Sequence, residues 1–589
     1  MRTPHGTDGE SPEPGTLTAT MFNVVFLLLR RIQIPLIVLI VAYAVAVLGF
    51  VLIPGQDDHG HPWRMGFLHA FYVVSYTATT IGFGELPYLF TDAQRLWMTL
   101  VVYLTVIAWM YTIGMLLSLV QDVSFRALML ELTFTRGVRR IAEPFYLVCG
   151  YGDTGSTLVR GLTDAGLRAV VVDISPARID ALLLEDVQTH VPGWCADAGK
   201  PDTLMKAGLQ HRHCAGVLVL TNNDSANLQI AITAKLLRPG MHTIVRAETN
   251  DAVANLAAFG TDHILNPFDL YARILKNAVH APSLYALDEQ LTSVPSEAWS
   301  PPLHPPRGNW VVCGYGRFGQ ALHHVLRGEG ITCTIIEADP EIANTVPGCV
   351  HGGGTQAATL IKANIRKADA LIAGTNNDAH NLAIVMTARE LNPDLFIVAR
   401  QNQRDNDALF RAARIPLVLQ SGRVLAGEVF SIVTSPLIVD FLRLAQREDE
   451  TWARDVQRRI RDLVGQHNPD RWVVDIRSHP APAISRALAG GRRVRIDDLR
   501  RDPQDRNQHI PSIALLLKRG SEFTLLPHDG ESLHKGDIVL FCGTPHARRR
   551  MEWVTRNHNI FHYTATGEER SSWLLGKLAA RKAGNPVDP

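Results

Sequence analysis

The sequence predicts a multidomain membrane protein. An all-α module of two spanning helices and a re-entrant loop comes first, then two α/β units with parallel sheets, then a small α+β lobe. Three observations predict it. Residues 34–53 and 96–120 are apolar runs without a charged side chain, each long enough to span a bilayer. The string FYLVCGYG (145–152) returns at 309–316 as NWVVCGYG, so the chain repeats itself. Beyond residue 472 short apolar strands alternate with turns, as WVVDI, RRVRI, SIALLLKRG, EFTLLP and DIVLFCG.

At 589 residues the chain has room for about four folded units of ~150 residues. A formal net charge of +1 supplies no bulk attraction to nucleic acid, which is not an expected partner. All seven cysteines follow the membrane part and none has CxxC spacing. Cys149 and Cys313 each close an apolar run before a glycine loop. They read as small core residues in a reducing compartment, not as disulfide partners.

Residues 1–20 are polar and expected to be disordered. Residues 21–31 (MFNVVFLLLRR) suit an amphipathic helix lying at the membrane surface. The run 34–53 is too long for a signal-peptide core, lacks a small-residue cleavage site, and reads as a spanning helix. Residues 96–120 form the second span. Arg30 and Arg31 before the first span, and Arg126, Arg136, Arg139 and Arg140 after the second, place both termini in the cytoplasm. The chain is then a multi-pass protein of the cell membrane, with lipid as a partner. The connector 54–95 is extracellular and carries a re-entrant helix at about 65–76, followed by TATTIGFGE at 77–85.

In that string Gly82 and Gly84 stand two residues apart, where a backbone alternating right- and left-handed angles needs residues without a Cβ. Non-helical backbone survives at membrane depth where it lines a cavity. The pattern Thr-x-x-Thr-x-Gly-aromatic-Gly-acid between two membrane helices resembles the selectivity filter of potassium channels. The resemblance makes 21–120 a pore module and K+ the permeant ion. It implies that carbonyls of Thr80, Ile81, Gly82 and Phe83 coordinate K+. The Thr80 hydroxyl adds the innermost ring, and Gly84 and Glu85 close the outer mouth. Two spans and one filter strand cannot enclose a pore, so a homotetramer is expected. Ile81, Phe83 and Glu85 stand where Val, Tyr and Asp are more usual. Phe83 lacks a hydroxyl that ties the filter to the helix behind it. Tyr76 stands where a carboxylate often faces the outer acid, so that pairing is absent. A weakly selective cation channel is the alternative. Gly114 interrupts the second span, as a gating hinge or a close-packing site.

The repeated strings open two equal patterns. Gly150, Gly152 and Gly155, and again Gly314, Gly316 and Gly319, follow an apolar strand and open a helix. A second strand ends in Asp173 or Glu337, each 23 positions beyond the first glycine. Strand, glycines, helix, strand and acid, twice at equal spacing, signal dinucleotide-type Rossmann units with doubly wound sheets. The glycines admit phosphates to the helix N-terminus and the acid can accept ribose hydroxyls. VLVLTNND (217–224) and ALIAGTNND (370–378) extend the match, adding Thr221, Asn222, Thr375 and Asn376. The loops differ in Asp153 and Thr154 against Arg317 and Phe318. An acid so near a pyrophosphate repels it unless a cation intervenes.

Behind a pore, the paired units resemble the cytoplasmic RCK domains that regulate K+ conductance. The resemblance implies a first unit at 144–295 with crossover helices, a linker at 296–308, and a second unit at 309–465 with a helical arm. A C-terminal lobe at 470–557 and a tail at 558–589 follow, and residues 121–143 link pore to units. The strand-end acid of the family is matched by Asp197 in the first copy and absent from Gly352–Thr355 in the second. Four chains would supply a ring of eight units, gated by a nucleotide: NAD(H), or an adenine nucleotide such as ADP, ATP or AMP. Asp173 and Glu337 favour an unphosphorylated ribose. Calcium is the alternative regulatory ligand, and a regulatory subunit of a K+ uptake system the alternative role. No catalytic acid–base set or substrate domain accompanies the glycine loops, so no enzyme is expected. His211, His213 and Cys214 read as a polar turn, and His59, His61, Asp57 and Asp58 as a solvated one, so no metal site is assigned.

Overall fold

The computed structural model describes residues 15–185, 189–292, 303–465, 467–477 and 481–568. Residues 1–14, the part of the 296–308 linker up to 302, and the tail from 569 lie outside the described residues. The chain divides into two compact units, residues 1–133 and 134–589.

In the first unit residues 21–31 lie within one longer helix, Gly15–Leu52, whose stretch apolar enough to cross a membrane is Gln33–Leu52, one residue from the expected start at 34. The helix also overturns disorder for residues 15–20. Pro35 lies inside it without ending it. Proline removes one N–H, but every other backbone group of an apolar run must be paired internally, and continuing the helix does that. The second span, Asp92–Gln121, starts earlier than 96 because Thr91 and Gln94 form a capping box. The two helices come close at Gly49, where an added Cβ would lie 2.0 Å from the Trp97 indole. The Trp97 indole N–H donates to the Ala46 carbonyl at 3.1 Å. The short helix Phe67–Ala78 buries Ala70, Val73, Val74 and Tyr76 with Ala46, Val47, Phe50 and Val101 of the two long apolar helices. Most of the linker 121–143 is helical, Val123–Arg139. Only Asp122 breaks it from the span, with extended backbone and its carboxylate accepting the Phe125 N–H at 3.1 Å.

The second unit holds two six-stranded parallel sheets of identical topology, 3-2-1-4-5-6 in each copy's own strand order. The first runs Phe145–Cys149, Arg168–Asp173, Gly193–Cys195, Cys214–Val219, Thr243–Arg246 and His263–Leu265. The second runs Trp310–Cys313, Cys333–Glu337, Val350–His351, Ala370–Ala373, Phe396–Gln401 and Leu417–Gln420. Their apolar runs are continuous because helices cover both faces. The order reverses beside strand one, opening a crevice at the carboxyl ends where the glycine loops sit.

The copies exchange their last helices. Pro267–His280 follows the first sheet but packs Phe268, Tyr271 and Leu275 on Phe318, Leu322 and Leu326 of the second copy's glycine-loop helix, Arg317–Gly328. Ser421–Thr434 follows the second sheet and packs Leu425, Ala426, Val429 and Ile432 on Leu158, Val159 and Leu162 of Asp153–Asp164. Arg273 and Glu428 join the exchanged helices at 2.5 Å.

The C-terminal lobe is a four-stranded antiparallel sheet in the order Asp470–Asp475, Ile538–Gly543, Ser512–Arg519, Glu522–Leu525. RRVRI is not a full strand: only Val494–Arg495 pairs, and Ile496–Arg500 turns helical. The lobe also reaches past 557. Asn557 caps a helix His558–Thr566 that buries Phe561 in the lobe core, so the tail begins later than 558.

Candidate functional site

Residues 79–85 follow the helix Phe67–Ala78 as a turn at 79–80 and then irregular backbone. The φ angles are +61° at Thr80, +66° at Gly82 and +93° at Gly84. The alternation therefore begins one step before the glycines, at a β-branched residue for which the left-handed angle is strained. Thr80 N–H donates to the Thr77 carbonyl at 3.0 Å, and Ile81 N–H to the Tyr76 carbonyl at 2.9 Å. These bonds hold the turn against the helix end.

Two partners here are absent from the sequence reading. The Tyr76 hydroxyl donates to the Gly84 carbonyl at 2.5 Å, supplying from the helix a tether that Phe83, without a hydroxyl, cannot supply from its own side. The Phe83 ring is stacked at 12° on Tyr72 and edge-on to Tyr76. Glu85, left unpaired by the loss of a helix carboxylate, accepts Arg95 Nε at 2.9 Å and the Phe90 N–H at 2.8 Å. The legible signal was Arg95 itself, a guanidinium just inside the second span. Ile81 and Phe83 are each 59% exposed in the single chain. Gly114 lies in an unbroken helix with nothing within 4 Å of an added Cβ, so no contact within this chain requires glycine.

The glycine loops keep the geometry their spacing predicts. Gly150 and Gly314 have φ of +104° and +91°. A Cβ on Gly155 would meet the Gly150 carbonyl oxygen at 2.1 Å, and one on Gly319 the Gly314 oxygen at 2.0 Å. No side chain fits either place. Asp173 is 4% exposed and accepts the Tyr151 N–H at 2.6 Å and the Ser175 N–H at 2.8 Å. Glu337 likewise accepts Tyr315 N–H at 2.5 Å and Ala338 N–H at 2.7 Å. Each acid thus braces its own loop besides facing the crevice. A further brace is a buried asparagine that sequence reading passed over. The Asn227 amide donates to the Thr221 and Arg246 carbonyls, both at 2.9 Å. The Asn381 amide does the same to Thr375 at 3.0 Å and Arg400 at 2.8 Å. Its signal was the Asn six positions after Thr in both copies. Asn222 accepts Arg246 NH1 at 2.5 Å, while Asp197 accepts the Gly199 N–H at 2.9 Å.

The unlike loop residues face the other copy. Asp153 accepts the backbone N–H of Arg404 at 3.0 Å, and Arg404 reaches the Ser156 hydroxyl at 3.3 Å. Gly422 of the exchanged helix sits against Asp153, whose Cβ lies 2.8 Å from an added Cβ. On the other side Arg317 pairs with Glu248 at 2.8 Å and lies 4.9 Å over the Phe268 ring. Arg246 also holds Glu248, at 2.5 Å. Arg400 lies near the Phe268 and Phe318 rings, and burial lowers its affinity for a proton. Burial raises the thiols of Cys149 and Cys313, the latter to about 12, so both stay protonated. Among the described residues no three His, Cys, Asp or Glu side chains gather as metal ligands.

The TrkA-N domain family model matches residues 146–267 and 310–421, the two sheets and their crevices. A Trk system potassium uptake protein TrkA homolog from Methanothermobacter thermautotrophicus is 31% identical over 165 residues, covering 27% of this chain and 75% of that protein. Potassium channel protein 1 from Methanocaldococcus jannaschii is 31% identical over 151 residues, covering 24% of this chain and 45% of that protein. The chain therefore spans less than half the length of that channel protein. Among solved structures, "GsuK channel bound to NAD" aligns with 90% of this chain and 98% of its own, at 15% identity and a TM-score of 0.44.

Proposed function

The chain belongs to the TrkA-N domain family, and on that footing we propose that it is a potassium channel whose opening is set by a nucleotide bound at its glycine loops. The observation that carries the pore is the alternating backbone at Thr80, Gly82 and Gly84, tied at its outer end by Tyr76. Such a strand turns successive carbonyls to one side, where four copies around an axis replace the water of a bare K+. The exposed Ile81 and Phe83 fit a filter that is completed by neighbouring chains. A homotetramer follows, set in the cell membrane through the two apolar helices, with both termini cytoplasmic.

The loops act as sensors, not as a catalytic centre. The ligand is NAD(H) or an adenine nucleotide. Its phosphates meet the N-terminus of Asp153–Asp164 or Arg317–Gly328. Both loops hold contacts that cross between the copies, Asp153 with Arg404 and Arg317 with Glu248. A ligand that displaces either contact binds the two arrangements of the copies unequally, which is the requirement for coupling. The helix Val123–Arg139 stands in the chain between the second span and the first sheet and transmits the change. The test is ion flux into liposomes containing only this chain. K+ uptake that exceeds Na+ uptake, and that changes on adding NAD or ADP, is the expected result. A second reading, a pore-less regulatory subunit, is favoured by the long match to the TrkA homolog. Flux from the chain alone eliminates it, and silence with retained nucleotide binding establishes it.

A further inference from the structure

The helix Pro176–Leu184 follows the strand that ends in Asp173 and carries Arg178. The Arg178 guanidinium stands over the phosphate turn: its carbon lies 3.6 Å from where a Cβ on Gly152 would be, and its two terminal nitrogens at 3.6 and 3.7 Å. Arg178 NH1 also lies 3.4 Å from Asp173. Asp173 is buried and both its oxygens already accept backbone N–H groups. The group left facing the crevice is therefore the guanidinium, whose side chain is 47% exposed.

The second copy is built differently at the same place. Ile342 stands where the first copy has Arg178, five positions beyond the strand-end acid. Asp339 and Glu341, both exposed, stand where the first copy has Ser175 and Ala177. No atom lies within 4 Å of a Cβ on Gly316. The second crevice edge thus carries Glu337, Asp339 and Glu341 and, among the described residues, no cation; both Glu337 oxygens already accept backbone N–H groups of Tyr315, Ala338 and Asp339, and Asp339 accepts that of Glu341. Its loop cation, Arg317, is held by Glu248.

We propose that Arg178 is the specificity-determining residue of the first glycine loop, holding a phosphate of a nucleoside phosphate beside Gly152, and that the second loop has no counterpart. The two loops then take different ligands. The first requires phosphate charge, and Arg178 offsets the repulsion from Asp153. The second carries carboxylates and no cation at this edge, so phosphate charge gains nothing there. A guanidinium binds a phosphate through charge-assisted hydrogen bonds that a hydrocarbon side chain cannot replace. The same chemistry serves a 5′-phosphate on the loop or a 2′-phosphate on the ribose.

This inference rests on the nucleotide-sensing reading, and titration calorimetry on the full-length protein in detergent separates the two. The probes are ADP, adenosine 2′-monophosphate and adenosine. For the wild type, two classes of adenine-nucleotide site are expected. Arg178→Ile should weaken one class for ADP, for 2′-monophosphate or for both by about tenfold or more, with adenosine unchanged. Which probe weakens identifies the phosphate. Arg178→Lys should retain part of the affinity, and Ile342→Arg should tighten the other class. The melting temperature without ligand should hold in Arg178→Ile, because the side chain is exposed. Phosphate-probe affinities of Arg178→Ile within twofold of wild type at both classes overturn the assignment and leave sensing intact. Absence of any binding by the wild type overturns both.

Discussion

The two Rossmann copies share one backbone and differ in what touches it. In each, a glycine carbonyl excludes any Cβ three residues into the loop helix, a strand-end acid braces the turn, and a buried asparagine joins the fourth and fifth strands. The divergence lies where the copies meet. Asp153 is covered by Gly422 and the Arg404 amide, whereas Arg317 lies on the Phe268 ring and pairs with Glu248. Small beside acid, aromatic beside guanidinium: each loop residue matches the helix it receives from the other copy. The comparison teaches that duplication preserved the scaffold while the contact between the copies was free to become asymmetric.

The scaffold half of that comparison breaks first. Gly155→Ala and Gly319→Ala should each destabilise by about 3 kcal/mol, since backbone must move to admit the methyl. Calorimetric melting of the two variants should give losses equal within error. A clear inequality would mean that one loop is looser than its geometry. Asn227→Ala and Asn381→Ala should each cost about 2 kcal/mol, from carbonyls left unpaired in the interior, again equally.

The asymmetric half is tested by pH. Pro282–Thr292 in the first arm and Pro436–Ala445 in the second both begin with proline, but the seventh residue is Asp288 in one and Leu442 in the other. Burial pushes Asp288 up to about 6, with Arg273 opposing and Glu428 adding to the shift. The folded state therefore holds this proton more tightly than the unfolded state. Stability contributed by the neutral acid is complete below about pH 4 and is lost as pH rises through about 6. Asp288→Asn should raise stability at pH 7.5 on the order of 1–2 kcal/mol and change nothing near pH 4. A gain of equal size at both pH values would remove titration as its cause. The smallest effect belongs to Arg317→Gln, below ~1 kcal/mol in stability because the pair is half exposed. Its mark should be a changed nucleotide response of K+ flux at unchanged basal flux.

Much of this architecture could be read from the chain. Apolar runs without charge located both spans, and the repeated FYLVCGYG and NWVVCGYG strings located both loops and their acids. The helix at 21–31 was legible, but its continuation into the next segment was not, because a sequence shows Pro35 but not that the helix continues through it. RRVRI failed as a strand because its alternation extends only as far as a partner, and Leu533 pairs with Val494 alone in that apolar register. Arg95, Asn227 and Arg404 escaped notice, as did the Gly84 carbonyl as partner of Tyr76, since each contact joins groups that no local pattern pairs.

Sequence alone determined the glycine-alternating string at 77–85, the glycine loops and the strand–helix alternation. These depend on backbone angles and side-chain period within a few residues, which are local physics. Tertiary structure decided which groups meet: Tyr76 with Gly84, Glu85 with Arg95, Asp153 with Arg404, and the exchange of the last helices between copies. Such contacts join segments as far as 251 residues apart, and no periodicity along a chain encodes them. They arise only when packed surfaces bring charge and shape together.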